Sequence, residues 1–168
     1  MADKVKAIPA GYHTVTPYLI IRDAASALAF YQKAFGATER MRFADPQGRV
    51  GHAEIKIGNS IIMLGEESPE MGARGPQTLG GSPVNLLLYV KDVDAAFSRA
   101  LAAGAKELGP VKDQFYGDRI GSVTDPYGHV WYLATHKEDV SPDELQRRAA
   151  AAHGGQEASV PAVDSTQG

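Results

Sequence analysis

Residues 15–36 read VTPYLIIRDAASALAFYQKAFG, and residues 84–104 read VNLLLYVKDVDAAFSRALAAG. Each stretch is an apolar, β-rich run, an Asp, a segment with apolar residues at helical spacing, and a Gly. Asp23 and Asp92 stand where a side chain accepts from the first free N–H groups of a helix. Leu28, Tyr31 and Phe35 share one face of the first helix, and Phe97 and Leu101 mark the second. Gly36 and Gly104 fall where a left-handed residue ends a helix.

Outward from these units, each helix is followed by three short strands. They are expected over 39–44, 50–57 and 60–64 in the first half. In the second they are expected near 108–111, 119–124 and 129–135. The turns DPQG (45–48), GN (58–59), YG (116–117) and DPYG (125–128) separate them. Asp23 and Asp92 are 69 positions apart, as are Met63 and Tyr132, so the unit repeats. DPQG and DPYG occupy different turns and are not part of that repeat. The reading is an α+β chain of two βαβββ modules.

The organisation that follows is a lead-in over 1–12 and a domain over 13–140. Within that domain, module 1 covers about 13–67, a Gly- and Pro-rich loop covers 68–82, and module 2 covers about 83–140. Ser141, Pro142 and Glu144 form a capping box that opens a C-terminal helix over 141–152. A small, polar tail over 153–168 is expected to be disordered.

Composition narrows the function classes. The 168 residues suit one domain with a proper core, and 43% hydrophobic with 22% charged residues is ordinary for a globular chain. Net charge is −3 with no Lys/Arg run, which argues against nucleic acid. There is no cysteine, so thiolate chemistry and disulfides are excluded. No apolar run approaches the roughly 20 residues of a membrane span. The first residues lack a signal-peptide core, so a cytoplasmic protein with no membrane partner is expected.

Several motifs in order resemble the vicinal-oxygen-chelate (glyoxalase/bleomycin-resistance/extradiol-dioxygenase) superfamily, in its PhnB-like or glyoxalase-like branch. They are TPYL (16–19), Phe30-Tyr31 with Phe35-Gly36, GHAE (51–54), VKDVD (90–94), YGDR (116–119) and DPYGHVW (125–131). The likeness spans roughly 13–140. It implies two modules curving into a mixed-sheet half-barrel cup, a homodimer, and metal ligands on the first and last strand of each module. Carried over, those places are Thr16, Met63, Asn85 and Tyr132. None is an imidazole or carboxylate, so no metal or other cofactor is expected at them.

Strand alternation gives the cup's lining. With Thr16 and Asn85 facing inward, Tyr18, Leu87 and Tyr89 follow. Met63 and Tyr132 complete a ligand-contacting set. In the strand 50–57, Ala53, Ile55 and Ile57 take the helix side, and His52, Glu54 and Lys56 take the cup side. His52 reads either as a ligand contact or as a hydrogen-bond partner of a neighbouring strand. Glu54 with Lys56 reads as an acid–base group or an exposed pair, and Tyr132 as a ligand contact or an aromatic filler. His136 reads as a surface or hinge residue, Asp118-Arg119 as a turn salt bridge, and DPYG as turn chemistry without a catalytic role.

The function these features point to is binding of a small organic ligand in an amphipathic, aromatic cup. The alternative is a lyase, isomerase or dioxygenase with His52 or Glu54 as base and Tyr132 as acid. It would be metal-free, or would use a divalent metal relocated to His52, Glu54 and His136. A third reading is an interaction module that docks through its C-terminal helix.

Overall fold

The computed structural model describes residues 5–154. Module 1 runs β1 (Tyr18–Ile21), α1 (Ala24–Phe35), β2 (Thr38–Ala44), β3 (Val50–Ile57) and β4 (Ser60–Glu66). A connection follows that holds a 3-10 turn at Pro69–Met71 and a one-turn helix α2 (Pro76–Leu79). Module 2 runs β5 (Asn85–Tyr89), α3 (Val93–Ala103), β6 (Lys106–Asp113), β7 (Asp118–Thr124) and β8 (Val130–His136). The C-terminal helix α4 is Pro142–Gly154, and the tail expected beyond it lies outside the described residues from 155 on. Among the described residues, no helix is long and apolar enough to cross a membrane.

The strands form two four-stranded mixed sheets, ordered β1-β4-β3-β2 and β5-β8-β7-β6, so no closed barrel results. In each, the leading strand pairs in parallel with the last. Tyr18 stands opposite Met63, and Leu87 opposite Tyr132. The internal repeat at 69 residues is therefore a repeat of strand register.

Two expectations change. The first strand begins at Tyr18 rather than at residue 15. Pro17 has no N–H to donate, the Thr16 hydroxyl turns back to the His13 carbonyl at 3.1 Å, and Val15 is exposed. Thr16 thus sits in a turn before β1. The connection 68–82, expected as a plain loop, is ordered around Glu67. Its carboxylate accepts from Arg22 Nε (2.9 Å), the Thr78 hydroxyl (2.6 Å) and the Gly75 N–H (3.1 Å). These bonds hold the carboxyl at a pKa of about 2, with Thr78 the largest contributor.

The helices start as the two Asp residues predict: Asp23 accepts from the Ser26 N–H and Asp92 from the Ala95 N–H. Asp23 is also left-handed (φ 65), and the Glu66 carboxylate takes the N–H groups of Asp23 and Ala24, both at 2.8 Å. A carboxylate at a helix N-terminus is favoured by the partial positive charge there.

One core serves both modules. Leu19, Ile21, Ala53, Ile55 and Leu64 of the first sheet join Val123, Trp131 and Leu133 of the second around α1 and α3. α1 and α3 pack on each other, Ala27, Ala34, Ala96 and Ala100 are buried on them, and Arg99 Nε donates to the Ala34 carbonyl at 3.0 Å. The Phe35 ring lies 4.6 Å from that of Trp131, so α1 also reaches the helix side of the second sheet. Each helix thus packs on its own sheet and against the other helix. The opposite face of each sheet is left open, with Tyr18, Phe43, Leu87 and Tyr89 exposed on it.

Candidate functional site

The open face of the first sheet is set by β3. Ala53, Ile55 and Ile57 are buried in the core, so His52, Glu54 and Lys56 project the other way. Cross-strand register then builds a row: Met41 opposite Glu54, Glu54 opposite Met63, and Met63 opposite Tyr18. Phe43 stands opposite His52 and stacks on its ring at 6.1 Å.

A polar chain runs through this apolar row. The Tyr18 hydroxyl is hydrogen-bonded to His52 Nδ1 at 3.0 Å, and His52 Nε2 lies 3.6 Å from Glu54 Oε1. Glu54 Oε2 accepts from the Tyr12 hydroxyl at 2.5 Å and lies 3.6 Å from the Arg40 guanidinium. Glu54 is only 4% exposed, so a carboxylate this deep needs those partners. The Tyr12 hydroxyl is pushed above its ordinary pKa, chiefly by donating to Glu54. The site thus holds a carboxylate acceptor, an imidazole, a phenol and a guanidinium against Met41, Met63 and Phe43, a lining that suits a partly polar organic molecule.

The open face of the second sheet has its own polar cluster. Buried Asp118 accepts from the Tyr89 hydroxyl at 2.8 Å and from His136 Nδ1 at 2.7 Å. His136 Nε2 reaches Asp139 at 3.0 Å. Both ring nitrogens face carboxylates, which only the imidazolium satisfies with two donors. The His136 pKa is accordingly raised, by Asp118 first and Asp139 second. Tyr116 is also raised, by burial and then by the charge of Asp118.

His52 and Glu54 are brought together, with Tyr18 and Met63 beside them. Tyr132, Asn85, Leu87 and Tyr89 lie on the second sheet, and no hydrogen bond or ring contact among the described residues joins Tyr132 to His52 or Glu54. Arg119, expected to tie a turn with Asp118, instead pairs with Asp94 and Asp113, which frees Asp118 for Tyr89 and His136. Sequence reasoning missed Tyr12 and Arg40, and gave Asp118 only a turn salt bridge. Tyr12 lies before the first strand and carried no periodic signal. Arg40 sits at a register shift in β2, between Glu39 and Met41, where alternation fails.

The metal ligands that the fold family implies do not fit. The Thr16 hydroxyl is committed to the His13 carbonyl, Met63 offers a thioether, and Asn85 and Tyr132 offer only an amide oxygen and a phenol in place of imidazole or carboxylate. A site relocated to His52, Glu54 and His136 would need residues from both sheets, and His136 is held by Asp118 and Asp139. Among the described residues, no group of three or more His, Cys, Asp or Glu is placed to hold a metal ion. A separate cavity of about 260 Å³ lies between β1 and β5, lined by Ile20, Arg74, Pro76, Val84, Leu86 and His129. That is below the usual size of an organic ligand site.

Residues 12–133 match the sequence model of the Glyoxalase/Bleomycin resistance protein/Dioxygenase superfamily. An uncharacterized protein of Mycobacterium bovis is 45% identical over 135 residues, which cover 79% of this chain and 89% of the relative. An uncharacterized Arabidopsis thaliana protein is 30% identical over 125 residues, covering 70% of this chain and 74% of its own. Among solved structures, TioX from Micromonospora sp. ML1 aligns with a TM-score of 0.59 at 27% identity, over 74% of this chain and 98% of TioX. A Bacillus cereus PhnB protein, described as a putative 3-demethylubiquinone-9 3-methyltransferase, aligns with a TM-score of 0.59 at 19% identity, over 73% of this chain and 99% of its own. At that identity the likeness concerns the fold alone.

Proposed function

Since the chain belongs to the Glyoxalase/Bleomycin resistance protein/Dioxygenase superfamily, we propose that it is a small-molecule-binding protein that works without the superfamily's metal. The observation that carries this reading is the row Met41–Glu54–Met63–Tyr18 on an open sheet face, with a buried carboxylate in its middle. Apolar side chains supply affinity there, and Glu54, His52 and Tyr18 supply orientation. The ligand is a partly polar aromatic compound.

Each sheet offers half a cup, and a homodimer completes it in the proposal: the first sheet of one copy faces the second sheet of the other. Exposed Tyr18 and Phe43 on one face, and Leu87 and Tyr89 on the other, support this, because apolar patches of that kind mark association surfaces. Tyr132 and Asn85 would then contribute from across the dimer. A cytoplasmic setting is part of the reading, and the lack of cysteine is consistent with it.

The test is a thermal-shift screen of aromatic and antibiotic-like compounds against the wild-type chain and His52→Ala. Compounds that raise Tm in the wild type, lose most of that shift in His52→Ala and are recovered unchanged support the proposal. Chemical conversion of the bound compound overturns it in favour of acid–base catalysis at His52 and Glu54.

A further inference from the structure

Residues 5–16 precede β1 and add no strand to either sheet. Among the described residues, their hydrogen bonds are local, such as the Tyr12 N–H to the Pro9 carbonyl at 3.2 Å, with one exception. The exception is the Tyr12 phenol on Glu54. The segment buries little of its own apolar surface, since Val5, Ile8 and Val15 are exposed. Beyond the approach of Gly11 to Ile61, this one hydrogen bond of the Tyr12 side chain ties it to the open face of the first sheet.

That side chain is held by two distinct recognition elements. The Glu54 carboxylate takes the phenolic hydrogen at 2.5 Å, and the Arg40 guanidinium stands 5.3 Å from the ring centroid, over its π face. Arg40 also lies 3.6 Å from the same carboxylate oxygen. If Tyr12 leaves, Glu54 keeps a countercharge, so the site stays intact when emptied. A pure packing contact would need neither an acceptor for the hydroxyl nor a cation for the ring.

We propose that residues 8–16 form a strap whose Tyr12 side chain occupies the subsite of a phenolic ligand, and that a neutral hydroxyaryl compound displaces it on binding. The proposal rests on reading this sheet face as the binding face, and names the class of molecule that face accepts. The phenol must be neutral, because Glu54 can accept from a hydroxyl but repels a phenolate or a carboxylate. Selection between phenols thus follows their own acidity. An occupied subsite also lowers the apparent affinity of the free chain by the fraction of time the strap is off.

The experiment titrates the full chain and Tyr12→Ala with p-cresol, toluene and benzoate, read by calorimetry and by backbone amide shifts. Expected results are p-cresol binding to Tyr12→Ala about tenfold or more tighter than to wild type, and no comparable binding of toluene or benzoate. In wild type, saturating p-cresol should move the Tyr12 and His13 amides to the shifts of an unstructured segment. Adding Glu54→Gln to Tyr12→Ala should erase the preference for p-cresol over toluene. Equal affinity in wild type and variant, or wild type saturated with the Tyr12 amide unmoved, overturns the strap. Benzoate binding better than p-cresol overturns it as well. Should Tyr12→Ala not fold, Tyr12→Phe is read instead, with raised p-cresol affinity expected and unchanged affinity overturning the proposal. If p-cresol fails while other compounds still depend on His52, the strap falls and the binding face stands. If nothing of any class perturbs His52 or Tyr18, the binding face itself falls.

Discussion

The Tyr31 phenol of α1 donates a 2.8 Å hydrogen bond to the Asp125 carboxylate in the β7–β8 turn, across the boundary between the two modules. The same Asp125 oxygen accepts from the Trp131 indole N–H at 2.9 Å, and the other accepts from the N–H groups of Tyr127 and His129. One buried carboxylate thus closes a turn and fastens the first helix to the second sheet.

Removing either end should cost stability in proportion to what is left unpaired. Tyr31→Phe removes one buried hydrogen bond and is expected to cost roughly 1–2 kcal/mol. Asp125→Ala strands an indole, a phenol and two backbone donors, so a loss of roughly 3 kcal/mol or more is expected. Urea unfolding of both variants measures this. An Asp125→Ala midpoint equal to wild type would show that the carboxylate is not the joint described.

Acid should loosen the connection before the sheets. Glu67 is held at about 2, below its ordinary 4.5, by Thr78, Arg22 and the Gly75 N–H. A depressed carboxyl stabilises fully above its unfolded value and loses that contribution as pH falls towards the folded one. The expected window is therefore between about 4.5 and 2. Pepsin cleavage within residues 68–82 should rise across that window. In Glu67→Gln it should already be high at its upper end, with little further change below. Cleavage that tracks global unfolding instead would mean that Glu67 does not hold the segment.

How much of this was legible in the chain follows from which interactions are periodic. The helix starts at Asp23 and Asp92, the stops at Gly36 and Gly104, and the inward face of β3 could all be read from spacing. So could the 69-residue repeat, because it is a repeat of register. The partners of Glu54 were not legible, because Tyr12 comes from an aperiodic lead-in and Arg40 from a shifted strand position. Asp125 looked like ordinary turn chemistry. Its turn role is real, but its second oxygen serves residues of two modules, and only the packed structure brings those together. Nor does sequence alone say that the helices of the two modules pack on each other, on the sheet faces opposite the cup.

His136 should behave as a base-sensitive tie at the end of β8. Its pKa is raised by Asp118 and Asp139. A raised histidine stabilises fully below its unfolded value of about 6.5 and loses that contribution as pH rises through the folded value. Its imidazole carbon-bound proton signals should therefore titrate above the ordinary range. In Asp118→Asn the midpoint should fall back towards it, with the Asp139 tie weakening at lower pH than in wild type. A midpoint at the ordinary value in the unmodified chain would remove the imidazolium from the cluster.

The open faces give the last test. Phe43 is 65% exposed and Leu87 50% exposed, on opposite sheets and on the faces that point away from the shared core. A specific interface needs about 1,200–2,000 Å² of buried surface, more than scattered single side chains supply. If the first sheet of one copy covers the second sheet of another, either residue changed to Asp places a charge in the middle of that contact. Phe43→Asp and Leu87→Asp should then each convert a dimer to a monomer in light scattering at micromolar concentration, with the circular dichroism spectrum retained. Because the proposed contact pairs one face with the other, mixing the two variants restores one unmodified contact, Phe43 of the Leu87→Asp copy against Leu87 of the Phe43→Asp copy, and gathers both charges in the other, so some dimer should reappear in the mixture. A dimer that survives both substitutions must use some other surface, and each half-cup would then have to bind its ligand alone.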